Sequence, residues 1–107
     1  MEVKSVVITA HAVQSLYKEF EYHKQNTSLA FANKLRSTFI DYVDKLSQNY
    51  SLYPECRFLP TKNLAYRNIV WRDYLIIYKI LKKEILVLGI FHAKQNPRKL
   101  KSYRKIK

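Results

Sequence analysis

Residues 74–92, YLIIYKILKKEILVLGIFH, are two apolar runs interrupted by Lys79 and by Lys82, Lys83 and Glu84. Neither run approaches the roughly 20 residues of a membrane-crossing helix, and the abundance of isoleucine, valine and tyrosine suits extended strands. A strand that is apolar at successive positions has hydrocarbon on both faces of its sheet, so both faces call for a cover. The preceding run, AYRNIVW, is set off by Arg72 and Asp73. The three runs therefore predict an antiparallel meander with polar turns at Arg72–Asp73 and Lys82–Lys83.

If both turns are two-residue loops, side-chain alternation sorts the strands into two faces. Arg67, Ile69, Trp71, Ile76, Tyr78, Ile80, Ile85, Val87, Gly89 and Phe91 fall on one. Tyr66, Asn68, Val70, Leu75, Ile77, Lys79, Leu86, Leu88, Ile90 and His92 fall on the other. Both faces are apolar at their centres, and the segment before the strands can cover only one of them.

That segment reads as a strand and two helices. VKSVVIT, 3–9, is short and β-branched, as an edge strand is. Thr9 can cap a helix over about 10–25, with Val13, Leu16, Tyr17 and Phe20 on one side. Thr27 or Ser28 can cap a second helix over about 28–50, with Ala32, Leu35, Phe39, Val43 and Leu46 as its apolar stripe. So short a link makes the two an antiparallel hairpin. SLYPECRFLPTKN, with Pro54 and Pro60, reads as a surface connection. The order is β-α-α-β-β-β, an α+β fold with a helical hairpin on a small, mainly antiparallel sheet. The second apolar face is then left for a partner.

The 107 residues match one domain, 1–107, ending in a basic tail from about 94. Twenty Lys and Arg against eight Asp and Glu give a net charge of +12. Such a charge points to an anionic partner, whether nucleic acid, an acidic protein or an anionic surface. The tail AKQNPRKLKSYRKIK carries cations at 94, 98, 99, 101, 104, 105 and 107 and no acid. It reads either as a frayed solvated end or as an arm that contacts phosphates, with Tyr103 free to stack on a base. A single cysteine, Cys56, excludes an internal disulfide, and no Cys/His spacing suggests a zinc site, so no metal and no cofactor are expected. The start MEVKSVVITAHAV does not resemble a signal peptide, which makes the cytoplasm the expected location and a membrane partner unexpected.

The element order, the strand YLIIYKI, the strand EILVLGIFH and the basic exit AKQNP together resemble the RelE/ParE superfamily of toxins from type II toxin–antitoxin systems. Tyr74, Ile76, Ile77, Tyr78, His92 and Lys94 stand at the matching places, and the long second helix opening SLAFANKL is similar to the ParE branch. The resemblance implies one of two activities. A RelE-like toxin cuts mRNA on the ribosome, for which His92, Arg67, Lys79 and Glu55 would supply an acid or base and phosphate clamps. A ParE-like toxin blocks DNA gyrase with no catalytic residue. The RNase branch carries an arginine where this chain has Leu75, on the expected face of His92, which favours the ParE-like reading. A decayed, non-toxic basic binding module is the remaining alternative.

The resemblance also implies a cognate antitoxin, acidic in character. Leu75, Ile77, Leu86, Leu88 and Ile90 are the expected antitoxin contacts. The two helices and the tail would face gyrase or, alternatively, the ribosome and mRNA, with Arg72, Lys94, Arg98, Lys99 and Tyr103 as candidates for target or phosphate contact. His92 otherwise reads as a residue that caps the end of its strand.

Overall fold

The structure, a computed structural model, describes residues 2–106, so the expected tail cation Lys107 lies outside the described residues. Its elements run β1 (Ser5–Ile8), α1 (Ala10–Asn26), α2 (Leu29–Asn49), β2 (Tyr66–Trp71), β3 (Tyr74–Ile80), β4 (Glu84–His92) and a C-terminal 3₁₀ helix (Pro97–Lys105). The sheet order is β1-β4-β3-β2, with β1 parallel to β4 and the other pairs antiparallel.

Local chemistry explains the boundaries. Thr9 Oγ1 accepts from the Ala12 amide and donates to the Val87 carbonyl, so one hydroxyl both caps α1 and ties its start to β4. Ser28 caps α2 by accepting from the Phe31 amide at 3.0 Å. Lys4 is buried because its ammonium has carbonyl partners, Leu81 and Lys82, at the β3–β4 turn. The apolar stripe of α2 (Ala32, Leu35, Phe39, Val43, Leu46) is buried as its spacing predicts.

Two cores lie on opposite faces of the sheet. The helices cover Ile69, Tyr74, Ile76, Tyr78, Ile85, Val87 and Ile90. Cys56, Leu59, Ala65, Leu100 and Tyr103 cover Tyr66, Ile77, Leu88 and Phe91 on the other side. The second face is therefore not left open for a partner: the chain closes it with its own 51–65 connection and its own tail. Ile77, Leu88 and Ile90, expected as antitoxin contacts, are buried, and only Leu75 and Leu86 keep partial exposure. The same packing corrects the reading of the tail. Leu100 and Tyr103 sit in the second core, so Tyr103 has no free ring to offer a base.

The facial assignment of β4 also changes along its length. Ile77 lies opposite Gly89 but Tyr78 lies opposite Val87, so Leu88 is an extra residue, a β-bulge. Beyond it the alternation inverts. Ile90 joins the helix-side core and Phe91 the other, the reverse of what an unbroken strand predicts. His92 lies opposite Tyr74, and Leu75 lies opposite Phe91, so Leu75 and His92 are on different faces. The argument that Leu75 replaces a charge beside His92 falls with that geometry.

Both exposed edges near the bulge are occupied. Past the end of β1, His11 Nδ1 is 2.9 Å from the Leu88 carbonyl, and Ser15 Oγ accepts from the Ile90 amide at 3.1 Å. On the far side, the Cys56 amide donates to Tyr66 and the Asn68 amide to Pro54, which turns part of the connection into a guard for β2.

Gly89 owes its identity to crowding. A Cβ there would stand 2.9 Å from Tyr103 Oη, 3.1 Å from Ser15 Oγ and 3.3 Å from His11 Nδ1. Gly89→Ala should destabilise the fold by about 1–3 kcal/mol in urea titration, because the Tyr103 ring is held in the core and cannot swing aside. Burial pushes the Tyr103 phenol up to about 12. A phenol whose folded value is raised contributes stability that is complete below the unfolded value of about 10 and is lost as pH climbs through the folded one. Unfolding free energy should accordingly fall between about pH 10 and 12, and Tyr103→Phe should reduce that fall.

Candidate functional site

The residues that a metal-free ribonuclease would need are not brought together. Arg67 lies opposite Tyr78 and His92 opposite Tyr74, four positions apart on β3, or about 13 Å. Lys79 is one position further and on the opposite face, its ammonium 5.2 Å from the centre of the Tyr66 ring. Each group is already engaged. The Arg67 guanidinium donates to the carbonyls of Leu64 and Tyr53, both at 2.8 Å, and so staples the connection to β2. Glu55 does pair with Arg67 through a backbone bridge, but its carboxylate accepts from the Thr61 amide at 3.2 Å. His92 Nδ1 accepts from the Lys94 amide at 3.1 Å, which makes it a cap for the turn after β4.

What surrounds His92 instead is an aromatic cluster joining α1, the start of α2 and the β2–β3 turn. The Tyr74 ring meets His92 edge-on at 4.9 Å and lies parallel to Trp71 at 6.4 Å. Trp71 stacks in turn on Phe31 at 6.1 Å, and the Arg72 guanidinium sits over both rings, at 5.1 and 5.7 Å. Arg72 achieves this from a left-handed backbone, φ 53°, at the first turn position.

A hydrogen-bonded chain runs through the same cluster. The Tyr74 hydroxyl donates to Glu19 Oε2 at 2.9 Å and lies 2.6 Å from His23 Nε2, while His23 Nδ1 lies 3.0 Å from Thr27 Oγ1. The only Tyr74 proton goes to Glu19, so Tyr74 accepts from His23 and Nε2 carries the imidazole hydrogen. Burial first, then the Glu19 carboxylate, hold the Tyr74 phenol well above its ordinary value. It stays protonated near neutrality and cannot act as a base. The chain locks α1 to β3, and beside it lies an open cleft of about 440 Å³ lined by Lys18, Glu19, Tyr22, His23, His92 and Gln95.

Sequence reasoning passes over Glu19 and His23 as site residues and offers Thr27 only as a possible helix cap, a place that Ser28 takes. The four-residue spacing of Glu19, His23 and Thr27 is a polar line on one side of α1, and that is the signal available. Tyr74→Phe should leave Glu19 and His23 without their shared partner and cost about 1–3 kcal/mol in chemical denaturation, with an effect that does not add to that of His23→Ala. Among the described residues no group of three or more His, Cys, Asp or Glu could hold a metal ion.

The charge is distributed unevenly. Residues 1–56 contain six Lys and Arg and six Asp and Glu, whereas residues 57–107 contain fourteen and two, so the whole net +12 belongs to the later half. In three dimensions the helical hairpin carries five Lys and Arg against four Asp and Glu, and nearly all of the excess lies on β2–β4, their second face and the tail. Arg72, Lys94, Arg98 and Lys99 are exposed, unlike Tyr103.

Residues 6–97 match the family described as ParE toxin of type II toxin-antitoxin system, parDE. Among solved structures, the chain is similar to one from the chromosomal ParDE system of P. aeruginosa, with a TM-score of 0.69, 17% identity, and coverage of 86% of this chain and 98% of that one. It is also similar to one from the toxin–antitoxin complex RelBE2 of Mycobacterium tuberculosis, with a TM-score of 0.55, 15% identity, and coverage of 84% and 98%. At these identities the likeness concerns the fold. No individually curated protein matches.

Proposed function

We propose that this chain, which belongs to the ParE toxin family of type II toxin–antitoxin systems, arrests growth by binding DNA gyrase without cutting nucleic acid. It is held inactive by a cognate antitoxin of acidic character. The observation that carries this reading is the dispersal of His92, Arg67, Lys79 and Glu55, each committed to a structural hydrogen bond or ring contact. Catalysis by preorganised charge requires the opposite, donors gathered around one phosphate.

The target contacts proposed are Arg72, Lys94, Arg98 and Lys99, all exposed and all in the basic half of the chain. The antitoxin is proposed on the helical hairpin, because the second sheet face is covered. There Val13, Leu16, Tyr17, Phe20 and Arg36 line an apolar groove of about 240 Å³, with Val13 and Tyr17 more than half exposed. A helix in such a groove is a common mode of recognition. Gyrase places the action in the cytoplasm. Among the described residues no helix is long and apolar enough to cross a membrane.

Induced expression in growing cells tests the reading, with plasmid supercoiling and mRNA integrity followed in the same samples. Loss of supercoiling or DNA breakage with intact mRNA is the expected outcome, and His92→Ala should still arrest growth. Cuts in mRNA with normal supercoiling would replace gyrase with the ribosome as target, and absence of arrest would identify a non-toxic binding module.

A further inference from the structure

The nine residues of the C-terminal 3₁₀ helix have a strict repeat of three. A 3₁₀ helix makes one turn per three residues, so side chains three apart eclipse one another. Pro97, Leu100, Tyr103 and Ile106 form the row that meets the sheet, with Leu100 and Tyr103 in the core. Arg98, Lys101 and Arg104 form a second row, exposed, with successive members about 6 Å apart along the axis. Arg104 is steadied by a bond from Nη2 to the Pro60 carbonyl, and its guanidinium and the Lys79 ammonium both lie over the Tyr66 ring, at 5.4 and 5.2 Å. The row thus continues onto the sheet as a fourth cation, and from Ile85 to the C-terminus the sequence has no acid to neutralise it.

Pro97, at the head of this helix, also lines a cleft of about 300 Å³ on the second face of the sheet. Phe58, Phe91, Leu75 and Val70 form its apolar wall, and Val70 is 61% exposed although it stands on a strand. Asn68 and Arg57 are its polar members, with the Arg57 guanidinium 4.9 Å from the Phe58 ring centre. An aromatic slot with one carboxamide, which can donate and accept, suits the face and edge of a nucleobase. A file of cations leading away from the slot suits the strand's phosphates.

We propose that the 3₁₀ helix and the cleft at its head are a binding site for single-stranded nucleic acid, with phosphates on Arg98, Lys101 and Arg104 and one base on the partly exposed Phe58 ring, beside Val70 and Asn68. An acidic peptide would use the cations but leave the slot empty, which is why the slot decides between the two. A duplex would keep its bases stacked and out of the slot.

The test uses only the purified chain and a short labelled oligothymidylate, read by fluorescence anisotropy over a series of salt concentrations, so its result does not depend on gyrase. Single-strand contacts contribute a slope of about −0.7 per phosphate in log K against log salt, so three contacts predict about −2. R98Q/K101Q should reduce that slope to about −0.7 and weaken binding at least tenfold at low salt. Both side chains are exposed, and circular dichroism with urea titration should show the fold unchanged. Phe58→Ala should weaken binding about tenfold while leaving the slope alone, since stacking releases no counterions. Wild-type binding without salt dependence, or equal binding by R98Q/K101Q, would overturn the proposal. So would displacement by polyglutamate at equal charge together with no effect of Phe58→Ala, an outcome that would make the surface one for acidic protein.

Discussion

The central constraint on this molecule is that β3 and β4 are apolar on both sides. Two covers are therefore needed, and a chain of 107 residues has only one helical hairpin to offer. The second cover is improvised from pieces that look like surface: a proline-bearing connection that contributes Cys56 and Leu59, and a cationic tail that contributes Leu100 and Tyr103. This division of labour separates the charge. Acids and bases nearly balance on the hairpin, at four against five, while the second cover brings the cations of the tail onto the sheet with almost no acid beside them. Packing and electrostatics are thus consequences of the same shortage of apolar cover.

The bulge at Leu88 organises the site end of the sheet. One extra residue turns Ile90 and His92 toward the helices and Phe91 away from them. His92 then meets the Tyr74 ring, and Tyr74 connects through its hydroxyl to Glu19 and His23 on α1. Phe91 is released to the other face, where it lines the cleft at the head of the 3₁₀ helix. Without the bulge, His92 would share the face of Leu75 and Lys79; with it, His92 lies on the face of Arg67 but four positions away along β3, and Lys79 is on the other side of the sheet. The inserted residue thus separates His92 from Lys79, while the alternation of β2 and β3 alone separates Lys79 from Arg67.

The fold was largely legible in the chain because its elements are strongly periodic. Leu35, Phe39, Val43 and Leu46 announce α2 by spacing, Thr9 and Ser28 announce the caps, and the two polar dipeptides announce the hairpin turns. The candidate site was legible only in part. Arg67 and Glu55 look like free charges until Tyr53, Leu64 and Thr61 are seen to supply their partners, and those come from a connection whose path no local pattern encodes. The Glu19–Tyr74–His23 chain joins residues more than fifty positions apart in the sequence, which spacing on one helix only half reveals.

The sequence by itself determined the elements, their order, the excess of positive charge and the demand for cover on both faces of β3 and β4. These follow from side-chain period and composition, which are local properties. The tertiary structure alone decided the identity of the second cover, the inversion of β4 at Leu88 and the assignment of cations to staples or to open surface. Each of those depends on which distant group reaches a given atom first: Tyr103 crowding Gly89, Tyr53 occupying Arg67, the Pro60 carbonyl occupying Arg104. Such competition is settled only when the whole chain is packed.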